Sequence, residues 1–182
     1  MLNRRSIRIK VLQHIYSFGH NVRLTEDVED LRSNTLLNLQ SSISSIDSYH
    51  IQVIILALIF QEIDIKKNSS QKKNKLNFNL SQNKILELFK KKSVIKNEIF
   101  SFKSSLSSEL ELLKDWYKLL KSETFFDTYN KKDSPSIEDD IEFVKGLIFV
   151  FILKNEDINS FFESRNIYWD IDKQIIRSML KK

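Results

Sequence analysis

Three histidines, His14, His20 and His50, are the first residues to test for chemistry. No cysteine accompanies them and no His-Glu-x-x-His spacing occurs, so metal ligation is not expected. Asp139, Asp140 and Glu142 form an acidic cluster, but consecutive helical positions point in different directions, so they read as charges at a helix start rather than a magnesium site. Serines are abundant, yet none lies in a Gly-x-Ser-x-Gly elbow. The expectation is a non-catalytic protein with no cofactor. What remains is basic: Arg4, Arg5, Arg8 and Lys10 fall within one short stretch, and no acidic residue precedes Glu26.

At about 100° per residue, Arg4 and Arg8 share one side of a helix with Val11 and Ile15, and Arg5 lies near Leu12. Lys10 points to the opposite side, as a solvated lysine would. This spacing predicts a stripe whose aliphatic end packs into a bundle while its arginine end projects past the bundle's edge. Guanidinium forks suit phosphates and base edges, which makes the stripe a candidate nucleic-acid contact. A plain basic surface is the competing reading, since basic runs of this size are common. Tyr16, four residues after Leu12, fits a core position and a contact position equally.

The elements that must position these residues are helical. With 2 glycines, 1 proline and no cysteine in 182 residues, the chain lacks material for tight hairpins, glycine-rich phosphate loops or disulfides. Apolar residues from Leu31 to Ala57 recur at three- and four-residue steps, which predicts one long helix, or two stacked end to end, from Asp27 to about Ile65. Lys66 to Lys75 is polar and basic and is expected to form a loop. A short helix is expected at Ser81 to Lys91 with Ser81 as its cap. A longer one should start near Ser107 or Ser108, where Ser108 and Glu111 have capping-box spacing. Ser134, Pro135 and Ser136 punctuate the chain, and Ser136 with Asp139 predicts a helix running to about Lys154. Two more are expected at Glu156 to Arg165 and at Asp170 to Lys181.

The chain therefore divides into N-terminal helices (1–65), a polar basic insertion (66–104), a helix completing the first half (105–133) and a further helical half beginning at 134. The longest uninterrupted apolar run, Val53 to Phe60, is far shorter than the roughly 20 residues of a membrane span, so no membrane segment is expected. The net charge is +5, and a cytoplasmic location is expected.

The run Arg4-Arg5-x-x-Arg8-x-x-x-x-Gln13-x-Ile15-Tyr16 resembles the arginine-rich first helix of the NusB family of bacterial transcription antitermination factors. Met1-Leu2-x-Arg4-Arg5 with Ile9-Lys10-Val11-Leu12-Gln13 is similar to the longer variant with a central insertion. Ser136-x-Glu138-x-Asp140-x-Glu142-Phe143, then Glu156 to Phe162, then Ile167-Tyr168-Trp169, resembles the helices after that insertion. The resemblance implies an all-α, NusB-like bundle that joins NusE, a small ribosomal protein, on boxA-type RNA within the RNA polymerase antitermination complex, supporting ribosomal RNA transcription. It implies that Arg4, Arg5, Arg8, Lys10 and Gln13 contact RNA and that Tyr16 contacts the partner.

Two departures go with it. Ser6 and Ile7 stand where relatives often carry another basic residue. The family's further C-terminal helices, with a closing Phe-x-Asn-Gly segment, have no counterpart, so the C-terminal half is expected to be incomplete and much of the NusE surface missing. That would leave Phe149, Phe151, Phe161 and Phe162 short of burial partners and favour self-association. Two alternatives stay open: a detached NusB-like domain of a ribosomal RNA cytosine methyltransferase, and a helical adaptor that binds protein and no nucleic acid.

Overall fold

A computed structural model describes residues 4–22, 27–70 and 79–181, and no strand occurs among them. Nine α-helices are present in these segments: α1 (Arg4–Asn21), α2 (Val28–Ser70), α3 (Lys84–Lys91), α4 (Ser93–Ser105), α5 (Leu110–Ser122), α6 (Thr124–Asn130), α7 (Ile137–Lys145), α8 (Glu156–Glu163) and α9 (Trp169–Leu180). The fold is all-α, as the scarcity of glycine and proline and the helical spacing imply. Its contacts separate two compact units, Met1–His50 with Asp170–Lys182, and Ile51–Trp169. This division cuts across the sequence segmentation and places 79–105 inside the larger unit.

That unit is built on Val53 to Phe60, every one of which is buried. Around this stretch α3 packs on α4 and α7, and α5 and α7 each pack on α6. Phe151, Phe161 and Phe162 are buried rather than left uncovered, which corrects the expectation above. Phe60 meets Phe151 edge-on at 5.9 Å, Trp116 meets Phe161 at 5.4 Å, and Phe162 stacks on Trp169 at 4.4 Å. These residues find partners within 51–169.

Local signals set several boundaries. Asp27 receives the Asp30 amide at 3.0 Å and starts α2, which is one continuous helix. It extends through Lys66–Ser70, where the sequence pointed to a loop; lysine propagates a helix well once one exists. Residues 71–78, the rest of that expected loop, lie outside the described segments, as do 1–3 and 23–26. The Ser136 hydroxyl accepts from the Asp139 amide at 3.2 Å and the Asp139 carboxylate accepts from the Ser136 amide at 2.8 Å, which is the expected capping box. α7 then passes into a π-helical segment, Gly146–Ile152.

Other local expectations fail. The cap of α3 is Asn83, whose side-chain oxygen accepts from the Ile85 and Leu86 amides at 3.1 Å. Ser81 instead lies in a 3-10 turn, Leu80–Gln82, and donates to Asp64 at 2.5 Å. Ser108 and Glu111 form no capping box, because Ser107–Glu109 is a separate 3-10 turn and Glu109 precedes α5 without a side-chain cap. By length and composition one helix among the described residues, Val28–Lys67, is apolar enough to cross a membrane, although half of its most apolar window is buried in protein. The window passes where the uninterrupted run did not because it averages over scattered polar residues.

Candidate nucleic-acid interface

α1 lies on its unit with an inverted face. Its buried residues are Ser6, Lys10 and His14, which recur every fourth position and so form one line along the helix. Lys10 is wholly buried and its ammonium lies 2.7 Å from the Asp172 carboxylate on α9, itself wholly buried. The His14 Nε2 is 2.9 Å from the Ser42 hydroxyl on α2. Burial, and next the nearby Lys10 charge, lowers the His14 pKa below the ordinary histidine value. A polar line of this kind is stable only when each group meets a partner, and these contacts fix which side of α1 faces inward.

Two expectations are overturned here. Lys10 does not point to solvent and is not placed to touch RNA, because a buried ammonium held by a carboxylate has no access to phosphate. Val11 and Ile15 do not anchor α1 in a bundle: Ile15 is 59% exposed and Val11 only half-buried. The arginines and these aliphatics do share one side of α1, but that side faces outward, with Val11 at its half-buried edge. Hydrocarbon does not decide which face of α1 is buried. The available signal was the Ser6, Lys10, His14 line at four-residue spacing, although its partners Ser42 and Asp172 lie far off in sequence.

The outward face carries the other candidates. Arg4, Arg5 and Arg8 are exposed, and among the described residues none has an ion-pair partner. Tyr16 is 81% exposed, which rules out a core role, and Leu12 is 65% exposed. Helical geometry gathers Arg4, Arg8, Ile15, Leu12, Arg5 and Tyr16 into an arc of about 120° and a length of about 18 Å. Gln13 lies at the margin, half-buried, with its side-chain oxygen buried and not hydrogen-bonded among the described residues. It is less open than the arginines.

Arg4 and Arg5 occupy the first turn of α1, where the free amides and the helix dipole favour acids. Each cation there costs about 0.3–1 kcal/mol. α7 shows the stabilising arrangement, with Glu138, Asp139 and Asp140 in its first turn. The arrangement in α1 leaves three guanidinium groups able to donate to phosphate oxygens or base edges, beside an aromatic ring able to stack on an unpaired base.

The acidic cluster begins α7 as expected, and two of its members make further contacts. Asp139 pairs with Lys132 at 2.5 Å, but Asp140 is buried and accepts from the Tyr129 hydroxyl and from the Lys84 amide at 2.9 Å. Asp64 likewise accepts from the Tyr117 and Ser81 hydroxyls. These carboxylates hold helices together. No family model, curated protein or solved structure matches this chain.

Proposed function

We propose that this protein binds single-stranded RNA without catalysis, through the exposed arc of α1. The observation that carries this reading is the set Arg4, Arg5 and Arg8 on one face with Tyr16, unopposed by any acidic residue of α1. Cations at a helix N-terminus are unfavourable unless an anion meets them, and a polyphosphate backbone is the anion that would engage several at once. The resemblance to NusB factors gives this a finer form: recognition of boxA-type RNA with NusE in an antitermination complex, in the cytoplasm.

The test is a titration of the intact chain with a boxA-type single strand at two or more salt concentrations. Replacing Arg4, Arg5 and Arg8 with alanine should weaken binding and reduce the slope of log affinity against log salt by about 2, from three lost phosphate contacts at about 0.7 each. An unchanged slope in the triple variant removes the proposed site. Adding NusE should tighten binding if the finer reading holds.

A second reading is favoured by a separate observation. Leu12, Ile15 and Tyr16 on α1 and Leu36 and Leu37 on α2 are all more than half exposed. That is more apolar surface than RNA contact uses, and it supports a protein-binding adaptor. Capture of a protein partner that is unaffected by the triple arginine variant and lost on Leu12→Glu/Ile15→Glu would favour it.

A further inference from the structure

Apart from the α1 face, the strongest feature is a cavity of about 400 Å³ bounded by α2, α4, α5 and the turn before α5. Its floor is aliphatic, with Ile59, Ile63, Leu106 and Leu113, and the exposed Leu110 stands at its edge. Its rim is cationic, with Lys66 and Lys67 from α2, Lys103 from α4 and Lys114 from α5. Glu62 is the one acid in the wall, and Lys103 already holds both of its oxygens at 2.6 and 2.7 Å. Lys114 leans on Glu111 at 2.7 Å, and Lys67 stands over the Tyr117 ring at 4.4 Å. We infer that this cavity binds a free long-chain carboxylate, its hydrocarbon tail on the aliphatic floor and its head group among the rim lysines.

Size and charge choose this occupant. The volume falls at the low end of small-molecule pockets and accepts one alkyl chain, not the two of a membrane phospholipid. The floor offers no hydrogen-bonding side chain to a polar ligand body. The rim lysines outnumber the single acid of the wall, which favours a negative head, and Lys67 sits among like charges: desolvation and then Lys121 and Lys118 disfavour its charge, Asp64 partly offsets them, and Lys114 adds to them. This inference is independent of RNA binding, since its residues lie outside α1.

Titration calorimetry of the intact chain with octanoate, decanoate and dodecanoate below their micelle concentrations tests it. Each pair of added methylenes should tighten binding about tenfold. Dodecyltrimethylammonium, with the same tail and the opposite charge, should bind at least about tenfold more weakly. Leu110→Trp fills the cavity from an exposed position and should abolish dodecanoate binding with helicity by circular dichroism retained; Lys67→Glu/Lys114→Glu should weaken it about tenfold. Methyl resonances of Leu106 and Leu113 should shift on saturation. Equal binding of the cationic and anionic amphiphiles, no dependence on chain length, or unaltered binding in Leu110→Trp would overturn the assignment. So would tighter binding of a glutamate-rich amphipathic peptide than of dodecanoate at the same lysines, which would make this a protein-docking site.

Discussion

A lysine with no access to water keeps its charge only where a counter-charge meets it, and Asp172 does this for Lys10. Removing one member leaves the other buried and uncompensated. Lys10→Met should lower stability to urea by about 3–5 kcal/mol, while Lys10→Met/Asp172→Leu should recover most of that loss. A double variant as unstable as the single one would show that the pair is not the source of the effect. Tyr117 and Tyr129 make a second test. Burial, and next a hydrogen bond to Asp64 or Asp140, raises both phenols far above the ordinary value of 10.0. The stabilisation is therefore fully present below pH 10, and it is lost as pH rises further, because the unfolded chain releases protons that the folded chain retains. The urea midpoint should fall between pH 9 and 11.5, and more steeply than in Tyr117→Phe/Tyr129→Phe. None of these pairings was legible beforehand. Arginine clustering and the His14 ligand question could be read from spacing, but Lys10 and Asp172 reveal their complementarity only once α1 and α9 meet.

Caps and boundaries show what local sequence carries. Ser136 and Asp139 are three residues apart and satisfy each other whatever surrounds them, so their box was readable. α4 was missed because Val94 and Phe100 are exposed while Ile95 and Phe102 are buried, which blurs its stripe. Ser81 lost its expected cap because Asp64, from another helix, offered a stronger acceptor. Gly146 belongs to this scale too. A Cβ there would lie 3.0 Å from Phe125 Cδ2, and that ring is held against Phe143 at 5.7 Å. Alanine gains about 1 kcal/mol of helix propensity, but displacing a packed ring costs about 1–3 kcal/mol. Gly146→Ala should therefore destabilise by about 1 kcal/mol in wild type and stabilise in a Phe125→Ala background, as a double-mutant cycle measured by denaturation would show. The same sign in both backgrounds would remove the steric account.

Fold class was readable because apolar residues recur at helical spacing along most of the chain and scarce glycine and proline leave little material for tight hairpin turns. The two units were not readable, since one of them draws on 1–50 and 170–182 together. Nor was the distribution of exposed hydrocarbon: of the phenylalanines expected to lack cover, Phe151, Phe161 and Phe162 are buried and Phe149 is half-buried, whereas Leu12, Ile15, Leu36 and Leu37 are open. α2 should report this difference along its own length. Amides of Val53 to Phe60 should exchange hydrogen only with global unfolding, and those near Leu36 and Leu37 at least about tenfold faster by local opening. Uniform protection along α2 would contradict the burial pattern. Bound RNA should slow exchange in α1 if that helix is the contact.

The Lys10–Asp172 pair also sets an order of events in time. A ribosome makes Lys10 about 160 residues before Asp172, which at roughly 5–20 residues per second separates the two by about 8–32 s. During that interval 51–169 is synthesised, including Val53 to Phe60. α1 meanwhile has its ammonium and no counter-ion. The helix that presents the arginines is thus among the first segments made, while its buried ion pair is among the last to close, and a released chain ending at Trp169 should protect Val53 to Phe60 from exchange while α1, held by His14 and Ser42 without its ion pair, exchanges faster than in the full chain.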